Sequence, residues 1–384
     1  MATAPSERPS RNRALDGLRG LAAMAVVAGH LVVATNLVQA SQYFGRARPL
    51  TGANWLFAQT PLVVVWAGQE WVIVFFVLSG FVLSLAAADG ARFEAARYYP
   101  TRIVRLYMPV WACLLLAAAV HEAIPHESVA GATPWLNLHV VDWSAATTLH
   151  ELILLLDAGD FYYTTVLWSL RWEVAFSLLL PLFLLCARRF PLALLTAASI
   201  VAIALGGPRS GVFAFMPAFM LGTVLAFGRE QARTVLADPR AYALALAASP
   251  IALTATHWLP GGPWRGPALA LGALGAMGFV ATAMVPGPFG RWLQTRPMQA
   301  VGRRSFSLYL VHEPIVVATA FALGGRPSTL LLGVAALAPI VVLTVLFYRA
   351  VERPSHSLAR GLGGWCATRL APLGPGARPS KAKT

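Results

Sequence analysis

The stretch RALDGLRGLAAMAVVAGH, Arg13 to His30, decides how this chain is read. It opens with charges spaced by glycine and becomes an apolar run on the scale of a hydrocarbon core, about 30 Å. Charge inside a membrane helix is costly, so an arginine and a histidine there call for a reason. Residues eleven apart on an α-helix are rotated by about 1100°, so Arg19 and His30 share a stripe within about 20° and stand about 16 Å apart. With Arg19 at the cytoplasmic edge, His30 is expected near the middle of the core. Asp16, three residues before Arg19, is placed to hold its guanidinium. Gly17, Gly20 and Gly29 remove bulk and permit close approach of a helix or ligand. Two readings stand at this point. In one, Arg19 anchors an anion and His30 transfers a proton in a dry site. In the other, His30 is a packed histidine bonded to a neighbouring helix.

The rest of the chain extends the membrane reading. Of its residues 57% are hydrophobic and 12% charged, where a soluble protein of this size carries about 25% charged. A soluble surface cannot be covered with so little charge. The first apolar run lacks a small-residue cleavage site and is too long for a signal peptide. Apolar runs predict ten spans, approximately 18–38, 66–87, 106–124, 167–187, 190–206, 212–228, 241–257, 267–285, 305–324 and 329–349: an all-α, polytopic membrane protein. The net charge of +14 would suit nucleic acid if it were spread differently, but the basic residues fall in alternate loops. Ten spans with a cytoplasmic N-terminus put 24 Lys and Arg inside and 5 outside, with Arg171 within a span. That bias sets both termini in the cytoplasm. The expected layout is a cytoplasmic tail over 1–14, one membrane domain over 15–355, and a basic, Pro/Gly-rich, disordered tail over 356–384.

The outer loop at about 125–166 differs in kind. It holds Glu127, Asp142, Glu151, Asp157 and Asp160 with His126, His139 and His150, and no Lys or Arg. TTLHELILLLDAG within it has the spacing of an interfacial helix. The three histidines read as solvated loop residues, since no pair has clear i,i+4 spacing, and no metal site is expected. Cys113, Cys186 and Cys366 are scattered and imply neither a disulfide framework nor zinc.

Four further motifs place polar groups in or beside spans. IVFFVLSGFVLS ends a span with Ser79 and Gly80, which either line a channel or pack helices. In YYPTRIVRLYMPVW, Arg102 and Arg105 face one way; paired guanidiniums suit phosphates, or simply anchor the inside of the membrane. LWSLRWEVAFSLLLPLF carries Trp168, Ser169, Arg171 and Glu173. Its glutamate is expected at the depth of His30, where a carboxylate would orient an imidazole. FSLYLVHEPIV puts Tyr309, His312 and Glu313 in a span that Pro314 opens, either as a cavity lining or as a kink.

In this order the motifs resemble the acyltransferase-3 family of integral membrane O-acyltransferases, over about 14–355. LDGLRGLAAMAVVAGH resembles its N-terminal signature, with an Arg-x10-His element at Arg19 and His30. FFVLSGFVLS, RIVRLYMP, WSLRWEVAFSLLLP and FSLYLVHEPI resemble its later motifs, and VERP at Val351–Pro354 its terminal Glu-x-Pro. Arg171 and Trp172 depart from the pattern before Glu173. The resemblance implies acyl transfer from cytosolic acyl-CoA to a hydroxyl of a glycan, lipid-linked sugar or macrolide-type acceptor, with no permanently bound cofactor. On that reading His30 is the general base and Glu173 orients it. Arg19, Ser79, Gly80, Arg102, Arg105, Tyr309 and His312 face the donor, and Asp16, Trp168, Ser169 and Glu313 support. The rival reading is a transporter or flippase using the same buried polar groups. The expected location is the bacterial plasma membrane.

Overall fold

A computed structural model of the chain describes residues 12–35, 52–141, 144–155, 161–206 and 211–370. The described residues are helical and contain no strand. The principal helices are α1 (Arg13–Val33), α2 (Gly68–Ala88), α3 (Ala95–Ala123), α4 (Leu167–Arg189), α5 (Leu192–Gly206), α6 (Gly211–Phe227), α7 (Pro239–Leu253), α8 (Arg265–Met284), α9 (Ser305–Ala322), α10 (Thr329–Phe347) and α11 (Arg353–Leu370). Seven helical segments are long and apolar enough to cross a membrane, α10 and α11 counting as one continuous segment. The helices α5, α6 and α7 are shorter, at 15 to 17 residues, or about 22–25 Å. Leucines and valines on the outer faces are exposed, among them Leu115, Leu205, Leu244, Leu330 and Val334. Apolar residues facing outward along long helices fit lipid as the surrounding medium, and the chain is a multi-pass membrane protein.

Helix ends follow local chemistry. Asn12 caps α1 by accepting from the Ala14 amide at 3.1 Å, and Asp16 adds a negative charge in the first turn, where the helix dipole favours it. Asp238 and Pro239 open α7, and Ser328 opens α10. Small residues set the closest crossings. A Cβ on Gly80 would collide with the Phe219 carbonyl, and one on Gly222 with that of Val77, so α2 and α6 touch backbone to backbone. Gly17 and Gly20 do the same for α1 against the short helices Pro288–Leu293 and Arg296–Gly302. At the centre is α9, the most enclosed of the seven.

Three sequence expectations change here. Capped by Asn12, α1 starts at Arg13 rather than near 18, so His30 lies in its last turn and not at its middle. The start of α3 is at Ala95, eleven residues early, because RYYPTRIVRL is amphipathic enough to extend the helix past its apolar core. The tail expected to be disordered from 356 is instead α11 as far as Leu370. It packs on α3, where Gly363 meets Thr101 and Arg97 and Thr101 Oγ1 donates to the Ala359 carbonyl at 3.2 Å. Residues 1–11 and 371–384, the outer-loop acids Asp142, Asp157 and Asp160, and Arg46, Arg48 and Arg209 lie outside the described residues.

Candidate active site

Two cavities lie at opposite ends of α1. The first, about 160 Å³, is lined by Asp16 and Arg19 of α1, Arg102 and Arg105 of α3, Glu173 of α4, and Glu352. The second, about 520 Å³, is lined by His30, Trp66, Trp135, Phe161, Trp168 and Gln69. Val72 and Tyr309 line both, so these two side chains are the wall between them. The Tyr309 hydroxyl is fixed, donating to the Val166 carbonyl at 3.2 Å and standing 2.7 Å from Ser169 Oγ.

The hydrogen bonds around His30 determine which of its nitrogens carries the proton. His312 Nδ1 is 2.9 Å from the Leu308 carbonyl, which can only accept, so Nδ1 is the protonated nitrogen. In a neutral imidazole the other nitrogen is then an acceptor. His312 Nε2 is 2.9 Å from His30 Nδ1, so His30 Nδ1 must donate. That leaves His30 Nε2 as a bare lone pair, on a side chain with 19% of its surface open. The His30 ring stacks on Trp135, with centroids 5.0 Å apart at 27°, and meets His312 edge to edge through their hydrogen bond, the two planes 16° apart. Stacking and the locked tautomer hold the imidazole in one pose.

Behind the histidines is a buried carboxylate. Glu313 accepts from the backbone amides of Thr165 at 2.6 Å and Val166 at 2.8 Å, just ahead of α4, where a helix N-terminus favours negative charge. It also accepts from His139 Nε2 at 2.8 Å, and Glu313 Oε2 is 4.0 Å from His30 Nδ1. His139 Nδ1 faces the Trp135 carbonyl at 3.1 Å, so that nitrogen also donates. With Nδ1 donating, His139 Nε2 and the Glu313 carboxyl share the proton of their contact, and the ionised form of the pair is imidazolium against carboxylate. Unpaired, either charge would be very costly here. The result is a relay-like cluster, His139–Glu313–His30–His312, drawn from the outer loop, α9 and α1.

Several residues therefore sit where the sequence reading put them and others do not. Glu173 does not reach His30. It pairs with Arg102 and accepts from Ser79 Oγ at 3.0 Å, while Arg102 Nε also donates to Ser177 Oγ at 2.9 Å. Glu313, expected only as a support, takes the place beside the imidazole. His312 binds His30 rather than facing the arginine cavity. Ser79 and Gly80 line neither cavity: Ser79 holds Glu173, and Gly80 is the close crossing with α6. Arg171 turns away from Glu173 toward the outer loop, donating to the Leu154 carbonyl at 3.0 Å and lying over the Phe161 ring at 4.6 Å. Of the outer-loop histidines, His139 is buried rather than solvated, while His126 and His150 are half-buried, His126 stacked on Phe321 at 4.6 Å and His150 beside Phe161 at 5.2 Å.

Arg19, Arg102, Arg105 and Asp16 do come together, joined by Glu352, whose Oε2 accepts from Ser307 N at 3.0 Å and Ser307 Oγ at 2.5 Å. Trp168 lines the aromatic cavity and Ser169 the arginine cavity. His139 and Trp135 are the site residues that sequence reasoning missed. The signal was the apolar run PWLNLHVV inside an acidic loop, which marks a segment folded back into the protein. Among the described residues no group of three or more His, Cys, Asp or Glu side chains is arranged to hold a metal ion.

Residues 12–349 match the family model described as an acyltransferase domain, that of acyltransferase-3, and the chain belongs to that family. It is 29% identical over 184 residues to acyltransferase MdmB of Streptomyces mycarofaciens. That match covers 48% of this chain and 42% of the relative, so this chain spans less than half the relative's length. No solved structure matches it.

Proposed function

We propose that this acyltransferase moves a short acyl group from acyl-CoA to a hydroxyl of a sugar, glycan or macrolide-type acceptor, with His30 Nε2 as the general base. The observation that carries this reading is the bare Nε2 on a tautomer-locked imidazole. It opens into a cavity of tryptophans back to back with a cavity of arginines. The arginines suit a phosphate-bearing donor. The aromatic faces suit a ring-shaped acceptor with an apolar side. The reaction closes across the wall at Val72 and Tyr309. His30 Nε2 takes the hydroxyl proton as the oxygen attacks the thioester carbonyl. The C–S bond breaks, and the His30 imidazolium returns the proton to the departing sulfur, giving an ester and a free thiol. During the step the imidazolium charge is met by Glu313 at 4.0 Å and by the acceptor nitrogen of His312. A positioned base of this kind contributes about 10²–10⁴-fold. The rest of the arrangement follows the charge bias of the sequence: about ten spans, both termini and the arginine cavity in the cytoplasm, and the aromatic cavity toward the far face of a bacterial plasma membrane.

The test is thiol release from acetyl-CoA, with mass spectrometry of products from a panel of sugar, glycan and macrolide acceptors. His30→Ala is expected to lose at least about 10²-fold in turnover while keeping its expression level and melting temperature. Wild-type-like turnover in that variant would refute the assignment. Movement of an acceptor across vesicles without thiol release would favour a transporter instead.

A further inference from the structure

The arginine cavity does not end at Arg102 and Arg105. These two side chains also wall a second groove of about 420 Å³, between the end of α2, the start of α3 and the last turns of α4. Arg92, Arg97 and Arg360 line its remainder, with Leu83, Leu180 and Leu184 along its apolar side. Of the five guanidiniums lining it, Arg102 is already paired with Glu173, and the carboxylate in the groove itself is Glu94. That carboxylate is 3.9 Å from Arg97, and both side chains are largely exposed, a geometry with little binding energy of its own. Arg360 donates only to Ser357 Oγ at 3.3 Å. Among the described residues Arg92 makes no ion pair, while Arg105 shares the arginine cavity with Glu352, whose charge acts on it. Phe93 and Tyr98, whose centroids are 5.0 Å apart at 56°, add aromatic surface to the groove.

Uncompensated like charges repel one another, so such a cluster fits an anion that is absent from the chain itself. An anchor for lipid phosphates needs only scattered exposed cations. Here the cations converge on a recess that shares a wall with the arginine cavity, and aromatic faces stand beside them. We propose that this groove binds the phosphorylated nucleotide end of the acyl donor. Its phosphates spread over Arg92, Arg97 and Arg360, its base lies against Phe93 and Tyr98, and its thioester arm passes Arg102 and Arg105 into the arginine cavity. The proposal rests on the acyl-CoA reading above and adds where the nucleotide sits.

The experiment is equilibrium binding of coenzyme A, 3′-dephospho-coenzyme A and pantetheine to the full chain in nanodiscs, wild type against the triple variant Arg92→Gln, Arg97→Gln, Arg360→Gln. The expected result is a loss of at least about tenfold in coenzyme A affinity in the variant, about 1.4 kcal/mol. The loss should shrink for the dephospho form and vanish for pantetheine. Equal coenzyme A affinity in the two proteins overturns the proposal, as does the same loss for all three ligands. Discs of zwitterionic and of anionic lipid separate the other source of phosphate. A variant effect confined to anionic discs assigns the arginines to lipid headgroups and overturns the nucleotide site. Thiol release is read separately. Nucleotide-dependent binding without turnover would leave the groove standing and sink the enzymatic reading.

Discussion

The tautomer lock on His30 makes a quantitative prediction for His312. Replacing it with leucine removes the acceptor 2.9 Å from His30 Nδ1, the one hydrogen bond among the described residues that chooses which His30 nitrogen is protonated, and leaves only the pull of Glu313 at 4.0 Å. Two effects add. A hydrogen bond between neutral groups is worth about 0.5–1.5 kcal/mol and one from a charged donor about 1.5–3 kcal/mol, so this bond strengthens by about 1–2 kcal/mol as His30 takes its proton. Losing that difference slows the step by roughly 5–30-fold. Without the lock, part of the enzyme also holds the proton on Nε2 and is unreactive. Together kcat is expected to fall by about 10–100-fold, while the acceptor KM stays near its wild-type value, since His312 lines neither cavity. His312→Gln keeps an oxygen acceptor near the position of Nε2 and is expected to fall between wild type and leucine. Steady-state thiol release measures all three, with melting temperature as the folding control. A leucine variant within twofold of wild type, or a glutamine variant as slow as leucine at equal stability, would refute the tautomer argument.

Two other outcomes follow from the geometry. Gly80→Ala places a methyl against the Phe219 carbonyl. It is expected to lose about 1–3 kcal/mol of stability and expression with it, while turnover per folded molecule is unchanged; a raised donor KM would instead assign Gly80 to the donor path. Glu151, in the outer-loop helix Ala145–Ile153, is buried, and burial pushes its carboxyl up to about 7 against the pull of the Tyr162 and Tyr163 amides. Its contribution to stability is present below the unfolded value of 4.5 and is lost as pH rises through about 7. Glu151→Gln keeps the oxygen that both amides bond, so the variant should melt higher than wild type at pH 8 and no higher at pH 4.5. A pH-independent difference would count against this assignment.

Much of the architecture is legible along the chain because a membrane leaves few solutions. Apolar runs must be helices, and each of the ten expected spans overlaps a helix, seven helical segments being long and apolar enough to cross a membrane. Boundaries were less legible where a polar cap or an amphipathic turn carries the helix beyond its apolar stretch, as at Asn12 and at Ala95. The arginine cavity was legible because its members recur near helix ends facing one way. The partner of His30 was not. Glu173 and Glu313 are both carboxylates inside spans, and depth alone could not tell which reached the imidazole. The choice is made by contacts distant in sequence: Arg102 from α3 claims Glu173, and the amides before α4 together with His139 claim Glu313. A loop histidine folding back beneath a tryptophan has no periodic signature, so His139 was hidden by the same acidity that made its loop look solvated.

A protein with a recess at each end of its longest common axis is one side chain away from being a pore. The partition here is shared by Val72 and a tyrosine pinned by its hydroxyl to Val166 and Ser169. On the proposed reading, with the two cavities open to opposite faces of the membrane, that pinning would keep protons and ions from running down their gradient through the site. The proposed transfer needs a wall thin enough for an acyl group to be handed across, yet the wall cannot be removed. Insulation, as much as chemistry, sets how closely donor and acceptor are allowed to approach.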